Sequence, residues 1–234
     1  VREIAAEHDR GRRLLVGTTN LDAQRPVFWR VSRIAAMGRD EPDRAADLIT
    51  KIIVASASIP GVFPPQFFTV TGGGRFWSEM HVDGGVTHQL FFLPDGGERE
   101  AATIPADIAE FMNRGTIYVV RNSKLGAEYA PVEPGVVQIA ARSISTLIKF
   151  SGQSDIAGIE RQAEGFGFGL RITSVPQDFS APQEEFFDPR YQRALFERGR
   201  EMATDPEVWT VDLPGAPAGV TSPAAAGAAG RPTP

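Results

Sequence analysis

Residues 75–85, Arg-Phe-Trp-Ser-Glu-Met-His-Val-Asp-Gly-Gly, decide much of the fold because they combine a strand pattern with an abrupt turn. Up to Val82, apolar Phe and Met side chains alternate with Arg, Glu and His, which is typical of a half-buried β-strand. The glycines at 72–74 separate this stretch from the apolar residues 67–70. The sequence therefore predicts a β-hairpin whose second strand ends at Asp83-Gly84-Gly85.

Strand and helix patterns interleave along the rest of the chain, up to about residue 205. Further strands are predicted at 14–19, 116–121 and 166–172, and helices at 43–56, along 137–148 and after Asp188-Pro189. This order favours an α/β architecture, in which helices are layered against a sheet. Because of the inserted hairpin, the sheet need not be wholly parallel.

Composition and charge narrow the classes of function. The 234 residues include 24 Lys and Arg against 29 Asp and Glu, a net charge of -5 with no long basic run, so we expect no nucleic-acid partner. The chain has no cysteine, which excludes disulfides, thiolate metal sites and a Cys nucleophile. No apolar stretch approaches about 18 residues, so we expect no transmembrane segment and a soluble or membrane-peripheral protein.

The last part of the chain differs in composition from the rest. Residues 212–234 are mostly Pro, Gly and Ala and show no periodicity, which predicts a flexible tail. Residues 1–211 are then expected to form part of one folded domain.

Asp83 is the first candidate for chemistry, because ligands tend to bind at strand ends in α/β sheets. Gly84 and Gly85 would let the backbone turn sharply and approach a ligand closely. An Asp held there can orient or deprotonate a nucleophile, although an ordinary strand-ending turn explains the same residues. A metal site built from His81, Asp83 and His88 is a weaker hypothesis, since the spacing of the three is irregular.

Two other segments could have either a structural role or a role in catalysis or anion binding. Ser56 and Ser58 lie at the end of a predicted helix, and with no base or strained elbow evident we expect them to be structural. Residues 72–75 could offer N–H groups to an anion, but they lack the Lys-Ser/Thr of a P-loop and precede a strand. We interpret them as the hairpin turn.

A Gly-x-Ser-x-Gly nucleophile elbow is missing, since no serine has glycine two residues before and two after it. The segment Gly152-Gln153-Ser154-Asp155-Ile156 has only the first glycine and follows a helical pattern rather than a strand. A Ser-His-Asp triad that uses His88 is a similarly weak hypothesis.

Three segments, in their order and spacing, resemble the patatin-like phospholipases, specifically the carboxy-terminal half of the bacterial members. They are Leu-Val-Gly-Thr-Thr-Asn-Leu-Asp at 15–22, the Ala-Ser-x-x-x-Pro block at 55–60 with Phe63-Pro64-Pro65, and His-Val-Asp-Gly-Gly at 81–85. Residues 117–122 and 188–202 look similar as well, so only the tail lies outside the resemblance.

The resemblance implies a three-layer α/β/α fold, incomplete here at its amino-terminal side, and hydrolysis of lipid acyl esters by a Ser-Asp dyad without histidine. Asp83, with Gly84 and Gly85, matches the family's Asp-Gly-Gly/Ala motif, and Asp83 would be the general base. No metal or cofactor is implied. The family's oxyanion loop and elbow lie upstream of the matching residues, so we expect the nucleophile to precede Val1 and this chain alone to be inactive.

The alternative is a non-catalytic lipid- or partner-binding module on the same fold. An acyl site could then be lined by phenylalanines that would otherwise pack in the core, namely Phe63, Phe67, Phe68, Phe91 and Phe92. In both hypotheses the expected partner is a lipid or acyl ester, and a peripheral contact with a membrane is compatible with both.

Overall fold

The computed structural model describes residues 1–92, 115–184 and 187–209. The chain divides into two compact units, one made of Val1–Gly115 and Tyr129–Phe168 and the other of Thr116–Glu128 and Gly169–Pro234. The predicted tail at 212–234 lies outside the described residues.

The first unit contains four helices and four strands in its described part. In chain order they are α1 (Arg2–Asp9), β1 (Leu15–Asn20), β2 (Arg25–Arg30), α2 (Val31–Met37), α3 (Pro42–Ser56), β3 (Gln66–Gly72), β4 (Arg75–Asp83) and, after a short 3-10 turn at Gly84–Val86, α4 (Val136–Phe166).

The four strands form one sheet in the order β2-β1-β4-β3, and every neighbouring pair is antiparallel. The predicted hairpin is confirmed: β3 and β4 pair from Gln66 opposite His81 to Gly72 opposite Arg75. Gly73 and Gly74 form the turn with φ of 58° and 74°, which glycine adopts without strain. The interpretation of residues 72–75 as a turn is therefore correct.

Helices α1, α2 and α3 pack on one face of this sheet. Their shared core consists of small and branched apolar side chains with one aromatic ring, namely Ala5, Val31, Ala35, Ile49, Ile52, Ala55 and Phe68. Because side chains alternate along a strand, Trp29 of β2 meets Phe68 on this face, whereas Phe28 meets Phe91 on the opposite one. The sheet is thus covered by different segments on its two faces.

Helix α3 follows the prediction closely, with Pro42 in its first turn and its end at Ser56. Just beyond it, Ser58 is buried, and its Oγ donates to the Val54 carbonyl oxygen at 2.8 Å. Ser58 therefore has the structural role expected from the sequence.

Helix α4 is much longer than its predicted stripe. Its 31 residues end at Phe166 and are followed by Gly167 in the left-handed conformation. Stripe residues such as Val137 and Leu147 are exposed, whereas the buried positions lie in the second half of the helix, at Gly152, Ile156, Ile159 and Ala163. Since Ser154 is in the middle of this helix, it does not occupy a strand-to-helix elbow.

The second unit contains a parallel strand pair, β5 (Thr116–Arg121) and β6 (Gly169–Ser174), followed by α5 (Pro189–Met202) and a 3-10 turn at Pro206–Val208. The first described turn of α5 is capped by Asp188, whose carboxylate accepts the Arg190 N–H at 2.9 Å. Arg190 also lies beside this carboxylate and, with the backbone N–H donors, holds the pKa of Asp188 well below its usual range.

The structure confirms a mixed α/β class and corrects two details of the sequence analysis. The strand predicted from residue 166 begins only at Gly169, because Phe166 still belongs to α4. In β4 the polar–apolar alternation holds for Val82, which is buried, but fails at His81, which is also buried, and at Phe76, which is 79 % exposed. Phe76 lies next to the hairpin turn, opposite Thr71, whereas His81 lies opposite Asn20 in the sheet centre.

Candidate active site

Asp83 is the last residue of β4, and the chain turns immediately after it. Its carboxylate Oδ1 accepts the backbone N–H of Gly85 at 2.7 Å, and its own N–H donates to the Ser58 carbonyl oxygen at 3.0 Å. The first bond fixes the rotamer of the side chain, and the second ties the end of β4 to the segment after α3. Asp83 is half-buried in this position.

Residues from three distant parts of the sequence meet at this point. Thr18 of β1 lies directly opposite Asp83 in the sheet, and Ser58 contacts the Asp83 N–H. Gly84 then passes over Gly17 so closely that a Cβ on Gly84 would lie 2.7 Å from the Gly17 carbonyl oxygen. Glycine is the only residue that permits this approach without a backbone shift.

The surroundings of Asp83 make its carboxylate a stronger base than an ordinary aspartate. Burial raises the pKa of Asp83, and the Gly85 N–H lowers it by a smaller amount. A raised pKa increases the affinity of the carboxylate for a proton and suits a general base.

The turn after Asp83 is organised around the carbonyl oxygen of Gly84. This oxygen accepts the N–H groups of Thr87 at 3.1 Å and His88 at 2.9 Å. On the strand side, the hydroxyls of Thr19 and Thr87 are hydrogen-bonded to each other at 2.9 Å. The 3-10 turn is therefore attached to β1 as well as to β4.

The end of β1 and the loop after it contain two further polar residues of the 15–22 segment. Asp22 accepts the Met80 N–H at 2.6 Å, and Asn20 accepts the Ala23 N–H at 2.9 Å. Asn20 is fully buried, and its Nδ2 has no hydrogen-bond partner within the described parts of the chain. These contacts fix the loop that follows β1 against β4.

His81 belongs to a buried hydrogen-bond chain on the helix-covered face. The Trp29 indole N–H donates to Thr18 Oγ at 2.8 Å, so we assign the Thr18 hydroxyl as donor to His81 Nδ1 at 2.9 Å. Burial lowers the pKa of His81, an effect that Glu79 and Asp22 only partly oppose. The ring is therefore neutral at pH 7 and structural.

His88 has a different partner, on the other face of the sheet. Its Nδ1 lies 2.8 Å from Oδ1 of Asp155, a carboxylate of α4 that is 6 % exposed. His81, Asp83 and His88 thus do not converge, and residues 1–92, 115–184 and 187–209 contain no group of three or more side chains suited to a metal ion. The metal-site hypothesis is wrong for this reason.

A cleft of about 220 Å³ lies beside His88 and Asp155. Its apolar walls come from β2, the segment after the turn and α4, namely Phe28, Leu90, Phe91, Phe92 and Ile159. Of the five phenylalanines proposed from the sequence, Phe91 and Phe92 line the cleft, Phe68 is in the core, and Phe63 and Phe67 are exposed.

Sequence reasoning placed Asp83, Gly84 and Gly85 together but missed Thr18 and Asp155. Thr18 lies in a β-branched strand that gives no sign of its partner, and Asp155 was noticed only as a neighbour of Ser154. No family model matches the chain. In the part of the chain that the structure describes, no helix has both the length and the apolar character needed to cross a membrane.

Proposed function

We propose that this chain supplies the general base of a serine acyl hydrolase of the patatin-like phospholipase type, acting on lipid acyl esters. The observation that supports the proposal is the meeting of the three family-like segments at Asp83, through Thr18, Ser58 and the Gly17–Gly84 contact. A shared site would explain why the residues of all three segments resemble those of the same family. The finer fold, a three-layer α/β/α domain incomplete at its amino-terminal side, is part of the same proposal.

In this proposal Asp83 works with a serine that lies outside the residues of this chain. The carboxylate takes the proton of the serine hydroxyl while the serine oxygen forms a bond to the acyl carbon. The ester C–O bond then breaks, and the proton passes to the departing alcohol. Water attacks the acyl-enzyme by the same route, with Asp83 again the proton acceptor, and the fatty acid leaves. The half-buried position and raised pKa of Asp83 suit both steps.

The test is hydrolysis of a p-nitrophenyl acyl ester and of a phospholipid by a longer protein that carries an upstream Gly-x-Ser-x-Gly segment. Asp83→Asn keeps an oxygen for the Gly85 N–H and should lower kcat at least about 100-fold, the lower range for a lost general base. Asp47→Asn, at an exposed position of α3, is the matched control. Near-full activity of Asp83→Asn would refute the proposal, and the present chain alone should be inactive.

The cleft favours a second candidate function, a lipid-binding module without catalysis. Its walls combine the apolar residues Phe28, Phe91 and Phe92 with polar ones such as Arg161 and Gln162. A fluorescent fatty acid should then bind saturably to this chain, and Phe91→Ser should weaken binding while Phe63→Ser, at an exposed position, should not. Binding together with inactivity of every longer protein would favour this candidate over the hydrolase.

A further inference from the structure

The segment Thr87–Leu90, which follows the Asp83 turn, is attached to α4 by two residues one helical turn apart. Asp155 Oδ2 accepts the N–H groups of Gln89 at 2.8 Å and Leu90 at 3.2 Å, while Oδ1 faces His88 Nδ1. The Ser151 hydroxyl donates to the Thr87 carbonyl oxygen at 3.1 Å. Residues i and i+4 share a helix face, so one face of α4 holds four consecutive residues of the segment.

These contacts connect directly to the site. Thr87 and His88, two of the residues held by α4, donate their backbone N–H groups to the Gly84 carbonyl oxygen. Gly84 itself lies between Asp83 and Gly85, whose N–H is bonded to the Asp83 carboxylate. A displacement of 87–90 would therefore open the turn that both buries and orients Asp83.

From this geometry we infer that Asp155 is a positioning residue for Asp83, acting through the segment 87–90. The inference deepens the proposed function and rests on it, since the position of Asp83 affects a reaction only if Asp83 is the base. Asp155 is suited to this role because a carboxylate accepts several hydrogen bonds at once and its buried location strengthens them. The segment 152–156, which contains part of the elbow pattern, thus contributes through Asp155 and not through Ser154.

The inference can be tested on the present chain, without hydrolysis, by NMR. Because the Gly85 N–H is bonded to the Asp83 carboxylate, its amide proton shift should follow the titration of that group. Burial and the Gly85 N–H set the pKa of Asp83 in opposite directions, with burial the larger effect. Two other ionisable side chains are hydrogen-bonded near the turn, His81 by Thr18 and His88 by Asp155, so the signals of both rings should be recorded in the same spectra.

Asp155→Ala removes all three acceptor contacts, so the segment 87–90 should move away from α4 and water should reach Asp83, while the local Asp83–Gly85 bond remains as the reporter. We expect the Gly85 midpoint to fall by about 0.5 pH unit or more toward the ordinary aspartate value. Glu164→Ala, an exposed acidic position on the same helix, is the matched control and should leave the midpoint unchanged. A less stable Asp155→Ala protein with an unchanged midpoint would overturn the inference, because its role would then be structural only.

Two further variants keep the test decisive. Asp155→Asn retains one oxygen for the backbone N–H groups and offers its amide N–H to His88 Nδ1, so the midpoint should be kept while the His88 tautomer changes. Should Asp155→Ala fail to fold, Ser151→Ala, which loses the bond to the Thr87 carbonyl oxygen, should shift the midpoint down by a smaller amount. Ser145→Ala, whose hydroxyl donates to the Ala141 carbonyl oxygen within α4, should not. Equal midpoints in the two serine variants would contradict the inference. Inactivity of all longer proteins would refute the proposed function and leave these NMR results unaffected.

Discussion

Gly84 and Gly17 touch backbone to backbone, with 2.7 Å between the Gly17 carbonyl oxygen and the place where a Cβ on Gly84 would be. This contact seats the turn after Asp83 on the central strand β1. It also explains why a glycine follows the aspartate even though Gly84 does not have a positive φ angle.

We therefore predict that Gly84→Ala destabilises the first unit by about 1–3 kcal/mol, the usual cost of forcing an extra carbon into a packed site. The measurement is urea denaturation followed by tryptophan fluorescence. Gly165→Ala is the control, because a Cβ there meets nothing within 4 Å in helix α4, and it should stabilise by up to about 1 kcal/mol. Equal stabilities of the two variants would show that the Gly17 contact has no energetic effect.

The raised pKa of Asp83 predicts a pH-dependent cost to stability. Below the unfolded value of 3.8 the carboxyl is protonated in both states and costs nothing. As the pH rises through the folded pKa, the unfolded state ionises more easily, so the free energy of unfolding falls and stays lower at pH 7. Asp83→Asn should remove this cost, so its stability relative to the wild type should increase between pH 3.8 and pH 7. A constant difference across that range would contradict the prediction.

The lowered pKa of His81 predicts that the free energy of unfolding changes with pH in the opposite direction, and over a different pH range. Burial lowers the pKa of His81 in the folded protein below the usual histidine value of 6.5. The stability that it contributes is therefore present above pH 6.5 and is lost as the pH falls through the folded pKa. His81→Gln keeps an oxygen for the Thr18 hydroxyl and does not titrate. We expect the wild type to lose more stability than His81→Gln between pH 7.5 and 5, measured by urea denaturation at each pH. Parallel losses would show that His81 is not the group responsible.

Thr18 connects the Trp29 indole to His81, so its hydroxyl satisfies two buried groups at once. Thr18→Val has nearly the same shape but leaves the indole N–H and His81 Nδ1 without their partner. We predict a loss of about 1–3 kcal/mol in the free energy of unfolding, the cost of unsatisfied buried polar groups. Thr69→Val, on an exposed position of β3, is the matched control and should change stability little. A Thr18→Val protein as stable as this control would overturn the assignment of the hydrogen bonds from Trp29 through Thr18 to His81.

The elements predicted correctly are those whose own residues mark their ends. Glycines mark the β3–β4 turn, Pro42 begins α3, and Asp188 with Pro189 begins α5. The missed elements lack such signals: β2 contains Pro26 and has Arg at both ends, and α2 is only seven residues long. These segments are specified by packing on the sheet rather than by local preference.

The site was predictable only as far as its residues are neighbours in sequence. Asp83, Gly84 and Gly85 are consecutive, and their roles follow from the strand end and the need for close approach. Asp155 is separated from His88 by 67 residues, and a sequence pattern with a short period cannot predict a contact over that distance. The burial of His81 was missed for the same reason, because it depends on its partner Thr18, 63 residues away.

The attachment of 87–90 to Asp155 also has a consequence for the order in which the protein is built during translation. Strands β1 to β4 lie within the first 83 residues and can pair as soon as they leave the ribosome. Asp155 is synthesised roughly 4–14 s later at typical elongation rates of about 5–20 residues per second. During that interval the sheet exists while the turn after Asp83 has no anchor on α4, so a nascent chain should acquire its sheet before its site.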